Sequence, residues 1–288
     1  MKVLITGASG QVGKALVSRA PPDVDVLALS RAELDISNAV AVRAVTTGFQ
    51  PAVIINAAAY TAVDKAESEP ELAYAINAEG PGLLAQAALA IRGCRMLHIS
   101  TDYVFDGRAS EAYKAGDPTN PLSTYGRTKL EGESTVLEIL GERAVILRTA
   151  WVYAPQGKNF LLTMLRLMRE RGAVRVVADQ QGTPTTADSI AGALWAIAHQ
   201  RDTRRILHWT DAGKATWYDF AVAIAEEGHV AGLLSNSVQV TPITTADYPT
   251  PAHRPGNSVL DCDDSVAQLG LTPAPWRDSL RAMLATLR

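Results

Sequence analysis

The chain has 288 residues, 47% hydrophobic and 20% charged, a balance ordinary for a globular protein that can bury a full core. A net charge of −3 offers no basic stripe for nucleic acid, and no apolar run approaches the roughly 20 residues that a membrane span needs. The two cysteines, Cys94 and Cys262, imply no disulfide framework and fit a reducing, cytoplasmic compartment, while MKVLITG is too short an apolar run for a signal peptide and is interrupted by Gly7.

In chain order, Lys2 to Thr6 reads as a β strand ending in glycine. Val12, Leu16 and Val17 then mark a helix that Pro21-Pro22 stops, because proline lacks the amide proton a helix interior needs. Val24 to Leu29 is a second strand. Ser37 to Gly48 is helical, with Ser37 as the expected cap and Gly48 as the stop. Ala52 to Asn56 is a third, buried strand, and Glu69 to Arg92 is helical with an expected interruption at Gly80-Pro81-Gly82. Arg95 to Thr101 is a fourth strand, Leu122 to Leu140 a helix, and Arg143 to Thr149 a fifth strand. Apolar strands alternating with helices predict an α/β fold, a Rossmann-type doubly wound parallel sheet covered on both faces.

After Trp151 the alternation fades. Phe160 to Arg171, Asp188 to His199 and Thr216 to Glu227 are amphipathic helices, and Thr241 to Pro255 reads as a loop rich in Pro, Thr and Asp. The division expected is a dinucleotide-binding domain over 1–150, with segments around 174–212 returning to it. Residues 151–288 then form mainly a small substrate-binding cap over the carboxyl ends of the strands, where open α/β sheets bind ligands.

Gly7-Ala8-Ser9-Gly10-Gln11-Val12-Gly13 joins the first strand to the first helix. Glycine lets backbone amides approach a pyrophosphate, and the helix start offers it unpaired N–H groups. The spacing is G-x-x-G-x-x-G, so its position straight after the first strand carries more weight than the pattern. At the end of the second strand, Ser30 and Arg31 stand where a carboxylate would favour NAD. A hydroxyl and a permanent cation suit the 2′-phosphate of NADPH, with NADH as the alternative because Glu33 and Asp35 lie close by. Ala57, Ala58 and Ala59 follow the third strand, small enough for a flat cofactor to pass or for a helix to pack.

Tyr125 and Lys129 stand at i and i+4 on one helix face. A free phenol has a pKa near 10, and a neighbouring ammonium would bring it toward the working range of an acid catalyst. Thr101, ending the fourth strand, can donate a hydrogen bond to a carbonyl oxygen. The three together describe carbonyl reduction, with Tyr125 as proton donor, Lys129 poising it and Thr101 orienting the substrate. Y-x-x-x-K alone occurs on many helices by chance; the glycine loop upstream and the hydroxyl at the strand end make the set specific.

Seven stretches carry a resemblance: GASGQVG, INAAAYTAVDKAESEPELAYAIN, ISTDYVFDG, NPLSTYGRTKLEGE, LRTAWVY, GKNF and DQQGTPT. In this order they cover most of residues 1–190, and the chain resembles the dTDP-4-dehydrorhamnose reductases, extended short-chain dehydrogenases that make the final reduction to dTDP-L-rhamnose. The resemblance implies Thr101, Tyr125 and Lys129 as the catalytic trio. It implies Gly10, Gln11, Val12, Asp35, Ile36, Ala59, Tyr60 and Thr61 along the cofactor, and Asp102, Tyr103, Trp151, Asn159 and Phe160 against a nucleotide-sugar substrate. Arg254, in HRPGNS, is similar to a late arginine of the family that would bind a phosphate.

Two departures from the family stand out. Some members dimerise through a magnesium site that includes an acid on the first helix. Here that helix reads Lys14-Ala15-Leu16, and Asp188 is the one acid left, so neither magnesium nor that dimer is expected, and the chain reads as a monomer or weak homodimer. Tyr60 replaces a common histidine. Dehydratases of the sister class carry an acidic pair after the strand-four threonine, whereas this chain has Thr101-Asp102-Tyr103. Epimerases would favour an acid at Ser30, and a regulatory subunit of the methionine adenosyltransferase type would not need the trio.

Overall fold

The computed structural model describes residues 1–288 apart from positions 201, 236 and 288. Its first half alternates β1 (Lys2–Thr6), α1 (Gln11–Ser18), β2 (Asp25–Leu29), α2 (Ala39–Phe49) and β3 (Val53–Asn56). Two short helices, α3 (Val63–Ala66) and α4 (Pro70–Tyr74), lead through a π turn at Ala75–Glu79 into α5 (Gly80–Leu89). Next come β4 (Arg95–Thr101), α6 (Thr124–Leu140) and β5 (Ala144–Thr149). The second half holds β6 (Val152–Tyr153), α7 (Phe160–Arg171), β7 (Ala173–Val177), β8 (Gln181–Gly182), β9 (Thr185–Thr186) and α8 (Ala187–His199). It finishes with β10 (Ile206–His208), β11 (Ala215–Thr216), α9 (Trp217–Val230), β12 (Gln239–Ile243), α10 (Asp263–Leu269) and α11 (Trp276–Ala285).

Six strands form one parallel sheet in the order β10-β5-β4-β3-β1-β2. The chain leaves β1 in one direction to make β2 and in the other to make β3, so the strand order switches between β1 and β3. A crevice at that switch, beyond the carboxyl ends, is where such sheets bind ligands. Alternate residues serve opposite faces. Val3, Ile5, Val53, Ile55 and Leu97 pack against α1 and α8, while Leu4, Ile54, Met96 and Ile146 pack against α2, α5 and α6. Each such fully buried aliphatic side chain contributes about 1.5–3 kcal/mol.

A separate apolar cluster lies in the second half, where α7, α9 and α11 enclose Leu161, Leu165, Phe220, Ile224 and Leu280. A two-stranded parallel pair, β7 with β12, adds Val174, Val176 and Val240 to it. Among the described residues no helix is long and apolar enough to cross a membrane.

Four local expectations are corrected. Helix α2 is capped by Asn38, whose side chain accepts from the amides of Val40 and Ala41, because the Ser37 hydroxyl is already given to Asp35. That helix runs through Gly48 and stops at Gln50, which takes the left-handed conformation at φ 53°. Gly80-Pro81-Gly82 does not interrupt the long helical stretch. The π turn takes up the change of register, so the missing Pro81 amide falls in the first turn of α5, where no intrahelical partner is required. The supposed loop from Thr241 begins inside β12; Pro242 is tolerated there because the strand pairs on one side only.

Candidate active site

Gly7, Gly10 and the start of α1 build one wall of the crevice. Gly7 has φ 70°, and a Cβ on it would lie 2.6 Å from the Ala58 amide nitrogen, so glycine is what lets the loop after β1 touch the loop after β3. No side chain caps the first turn of α1, leaving its N–H groups to meet an anion. Ala57, Ala58 and Ala59 present little bulk along the same edge, with Thr61 exposed beyond them. The fit to a dinucleotide is therefore good: a backbone cradle at Gly10, Gln11 and Val12, and a small-residue wall opposite.

The end of β2 is more committed than its sequence suggests. Both the amide and the hydroxyl of Ser30 donate to Glu33 Oε2, at 2.8 and 2.7 Å, and Asp35 accepts from Ser37. Arg31 is exposed beside them. Ile36 is 3% exposed and packs within the core against Gly80, so it supports this edge rather than facing out of it.

Asn159 and Gln11 tie the two halves together. Asn159 caps α7 by accepting from the Leu162 amide, and its own amide donates to Gln11 Oε1 at 2.7 Å and to the Ala154 carbonyl at 2.9 Å. Asn159 is thus placed at the glycine loop. Phe160, next in sequence, reaches the cleft described below.

Thr101 and Tyr125 come together. Thr101 sits at the carboxyl end of β4, where its hydroxyl donates to Asp102 Oδ1 at 3.0 Å and accepts from the Tyr103 amide. Ser123 caps α6 through the Gly126 amide, and that helix delivers Tyr125 to the Thr101 side chain. Burial pushes the Tyr125 phenol up to about 12; its contact with the Thr101 side chain works against this and the Asp102 charge adds to it. Asp102, 2% exposed, is itself raised to about 6 by burial, against hydrogen bonds from Ser258 and Thr101.

Lys129 behaves differently from the expectation that it poises Tyr125. Its Nζ donates to the Ile99 carbonyl at 2.7 Å and lies 3.3 Å from His98 Nε2. Burial lowers the ammonium to about 8, opposed by the charge of Glu133. In this arrangement the phenol is therefore set by its own burial and by Thr101.

Beyond the trio a cleft of about 1070 Å³ is lined by Tyr103, Phe160, Trp217, Asp64, Arg254 and residues of β7 and β12. Tyr103 meets Tyr125 edge to face, with ring centroids 5.8 Å apart, linking cleft and trio. Arg254 forks onto Asp64 and is also bonded by Tyr103. Trp151 lies beneath the cleft, stacked on Trp217 with centroids 3.6 Å apart and planes within 6°; Trp217 is the ring that lines it.

Sequence reasoning did not single out Asp64, Trp217, His98 or Asn77. Asp64 stood inside a quoted stretch without a partner to give it meaning. Asn77, on the π turn, exchanges hydrogen bonds with the Tyr60 backbone and donates to Thr128, so it clamps the loop after β3 to α6. A π turn at such a place is itself a signal of function, though one without a sequence pattern. Asp188 faces Arg19 at 3.6 Å, and no group of three or more His, Cys, Asp or Glu side chains placed to hold a metal occurs among the described residues.

Over residues 1–288 the chain matches the model of the RmlD substrate binding domain. It is 44% identical to a dTDP-4-dehydrorhamnose reductase of Aggregatibacter actinomycetemcomitans, across 99% of this chain and 98% of the relative. It is 43% identical to a probable dTDP-4,6-dihydroxy-2-methyloxan-3-one 4-ketoreductase of Streptomyces antibioticus, across 98% and 94%. Among solved structures, the dTDP-4-dehydrorhamnose reductase of Bacillus anthracis in complex with NADP superposes with a TM-score of 0.92 at 35% identity, covering 99% of both chains.

Proposed function

Because the chain belongs to the dTDP-4-dehydrorhamnose reductase family, we propose that it is an NADPH-dependent oxidoreductase. Its proposed reaction reduces the C4 keto group of dTDP-4-dehydro-L-rhamnose to give dTDP-L-rhamnose, with Tyr125 as proton donor. The observation that carries the reading is the meeting of Thr101 and Tyr125, whose ring lies edge to face with Tyr103 of a cleft that Arg254 also lines.

NADPH, when bound, supplies the hydride that adds to the carbonyl carbon. Gly7, Gly10, Gln11 and Val12 would hold its pyrophosphate, Arg31 its 2′-phosphate, and Ala57 to Thr61 its flank. The carbonyl oxygen then needs one proton. A phenol raised to about 12 is protonated at neutral pH, which is the form a reduction requires of its donor. Thr101 turns its single hydroxyl proton from Asp102 to the carbonyl oxygen. Tyr103 and Phe160 flank the sugar, Trp217 offers a flat face to the nucleotide with Trp151 stacked beneath it, and Arg254 meets the diphosphate. Asn159 acts at one remove, through Gln11.

The relatives that support this reading differ in their sugar, so reduction of a 4-keto group on a dTDP-linked deoxysugar is its firmer part and the rhamnose configuration its finer one. The chain is read as a monomer or weak homodimer without magnesium, since Ala15 is buried where an acidic ligand would be needed and Asp188 faces Arg19. The test is loss of absorbance at 340 nm when purified protein meets NADPH and freshly made dTDP-4-dehydro-L-rhamnose. Stoichiometric NADPH oxidation is the expected result. No oxidation, with cofactor that purifies bound to the protein, would point to an epimerase or dehydratase instead.

A further inference from the structure

A row of polar side chains crosses the sheet where the core is otherwise apolar. Thr6, Asn56 and His98 occupy neighbouring register positions on β1, β3 and β4, on the face covered by α6, and all three are fully buried. Thr6 Oγ1 donates to Asn56 Oδ1 at 2.6 Å, Asn56 Nδ2 lies 3.0 Å from His98 Nδ1, and His98 Nε2 lies 3.3 Å from Lys129 Nζ.

The polarity of this row is fixed from one end. The Ala58 backbone amide donates to Asn56 Oδ1 at 3.1 Å, and a backbone N–H has no acceptor role. The other end of the Asn56 side chain is therefore its NH₂, which donates to His98 Nδ1. An imidazole that accepts at Nδ1 and is neutral carries its proton on Nε2, and burial above all holds His98 well below its ordinary pKa. Nε2–H then points at Lys129 Nζ, which must accept. An ammonium has three donors and no lone pair; a neutral amine has one. Lys129 Nζ also donates to the Ile99 carbonyl at 2.7 Å, which an amine can do at the same time.

We propose that, in the enzyme without ligands, Asn56 and His98 are positioning residues that favour the neutral amine of Lys129, accepting from His98, over its ammonium, so that this lysine gives up its proton more readily than a free one. The surrounding charges leave that arrangement standing. Glu133, one turn further along α6, is the nearest acid, but its carboxylate is taken by Arg148 of β5 in a buried ion pair at 2.7 Å. Asp102, beyond the end of β4, faces Thr101 and Tyr125, and Tyr125 itself is a protonated phenol. On β3 and β1 the row offers Asn56 and Thr6, which carry no charge. If the proposed reduction is correct, ligands that give Nζ new acceptors would shift Lys129 back toward the cation.

The test is a pH titration of ligand-free protein labelled with ¹³C at the lysine ε carbons, the Lys129 signal being identified by its loss in Lys129→Arg. We expect that signal to titrate with a midpoint near 8, well below the free-lysine value of about 10.4. Asn56→Asp keeps the acceptor for Ala58 and Thr6 but turns the inner end into an acceptor. His98 would then carry its proton on Nδ1 and offer Nε2 to an ammonium, so the Lys129 midpoint should climb by a unit or more toward the other lysines. A Lys129 signal that titrates with the others in the wild type overturns the proposal, and needs no variant to do so. An unmoved midpoint in folded Asn56→Asp overturns the part played by the row. Neither readout depends on turnover, so loss of the reductase reading would show separately in the NADPH assay.

Discussion

Arg254 closes on Asp64 as a two-pronged ion pair, Nη1 reaching Oδ1 at 3.0 Å and Nη2 reaching Oδ2 at 2.8 Å. Asp64 also accepts from the Ala252 amide, so the aspartate docks the 250–254 segment onto α3. The guanidinium holds the Asp64 carboxyl below its usual range. Two roles follow for the arginine, tether and anion ligand, and two variants separate them. Arg254→Ala should raise KM for the dTDP-sugar about tenfold or more while kcat falls far less, as loss of a charge-assisted contact of roughly 1.5–3 kcal/mol would do. Asp64→Ala should lower the melting temperature by a similar amount to Arg254→Ala but leave the cation in the cleft, with a smaller rise in KM. Equal KM changes in the two variants would mean that Arg254 serves only as a tether.

Tyr125→Phe removes the proposed proton donor and little else. The phenol ring keeps its edge-to-face contact with Tyr103, so the fold and the cofactor cradle should persist. General acid catalysis is typically worth about 10²–10⁴ in rate, and kcat should fall within that range. Dissociation constants for NADPH, read by fluorescence, should change by less than about threefold. Turnover near that of the wild type would move the proton-donor role elsewhere, to Asp102 as the next acid along.

What could be read from the sequence followed the range of the interactions. β1 to β5 are apolar runs of four to seven residues between helices, and a parallel sheet requires nothing more. β10 has three residues and β7 and β12 find each other across about sixty positions, so neither carries a period that marks it. The same holds in the site. Tyr125 and Lys129 share one helix face and Thr101 ends a strand, positions that local geometry dictates. Arg254 and Asp64 are 190 positions apart, and Trp217 gains meaning only from Trp151 beneath it. The role of Lys129 depended on His98 and Asn56, whose alignment is a matter of strand register, so spacing on the helix identified the residue and not its partner.

Gly182 is held to glycine by the Trp151–Trp217 stack. A Cβ there would sit 2.4 Å from Trp151 Cε2, and the ring has little room to retreat because Trp217 lies flat on its face. Trp151 already takes φ 45°, a region costly for a bulky residue. Gly182→Ala should therefore destabilise the protein by about 1–3 kcal/mol, the usual cost of overpacking. It should also raise KM for the nucleotide sugar through a displaced Trp217, leaving NADPH affinity unchanged. Denaturant midpoints and steady-state kinetics check both, and an unchanged midpoint would show that the stack yields freely.

Asp102 should leave a signature in stability against pH. Its folded-state pKa of about 6 lies above the unfolded value of about 3.9. Below that unfolded value the carboxyl is neutral in both states and costs nothing. Between about pH 4 and 6 the unfolded chain ionises first, so the group increasingly favours unfolding, and above 6 the full penalty, about two pH units or roughly 3 kcal/mol, is present. Asp102→Asn keeps the Oδ1 that accepts from Thr101 and removes the charge, so its stability relative to wild type should rise across that window and then level off. The wild-type curve alone would hide this, because His208, which burial pushes down to about 4, loses stability as pH falls below about 6.5 and so works in the opposite sense. His98 does the same. Both histidines are common to the two proteins, so they cancel in the difference between denaturant midpoints taken from pH 4 to 7. A difference that stays flat across those pH values would mean that Asp102 ionises as readily in the fold as in the open chain.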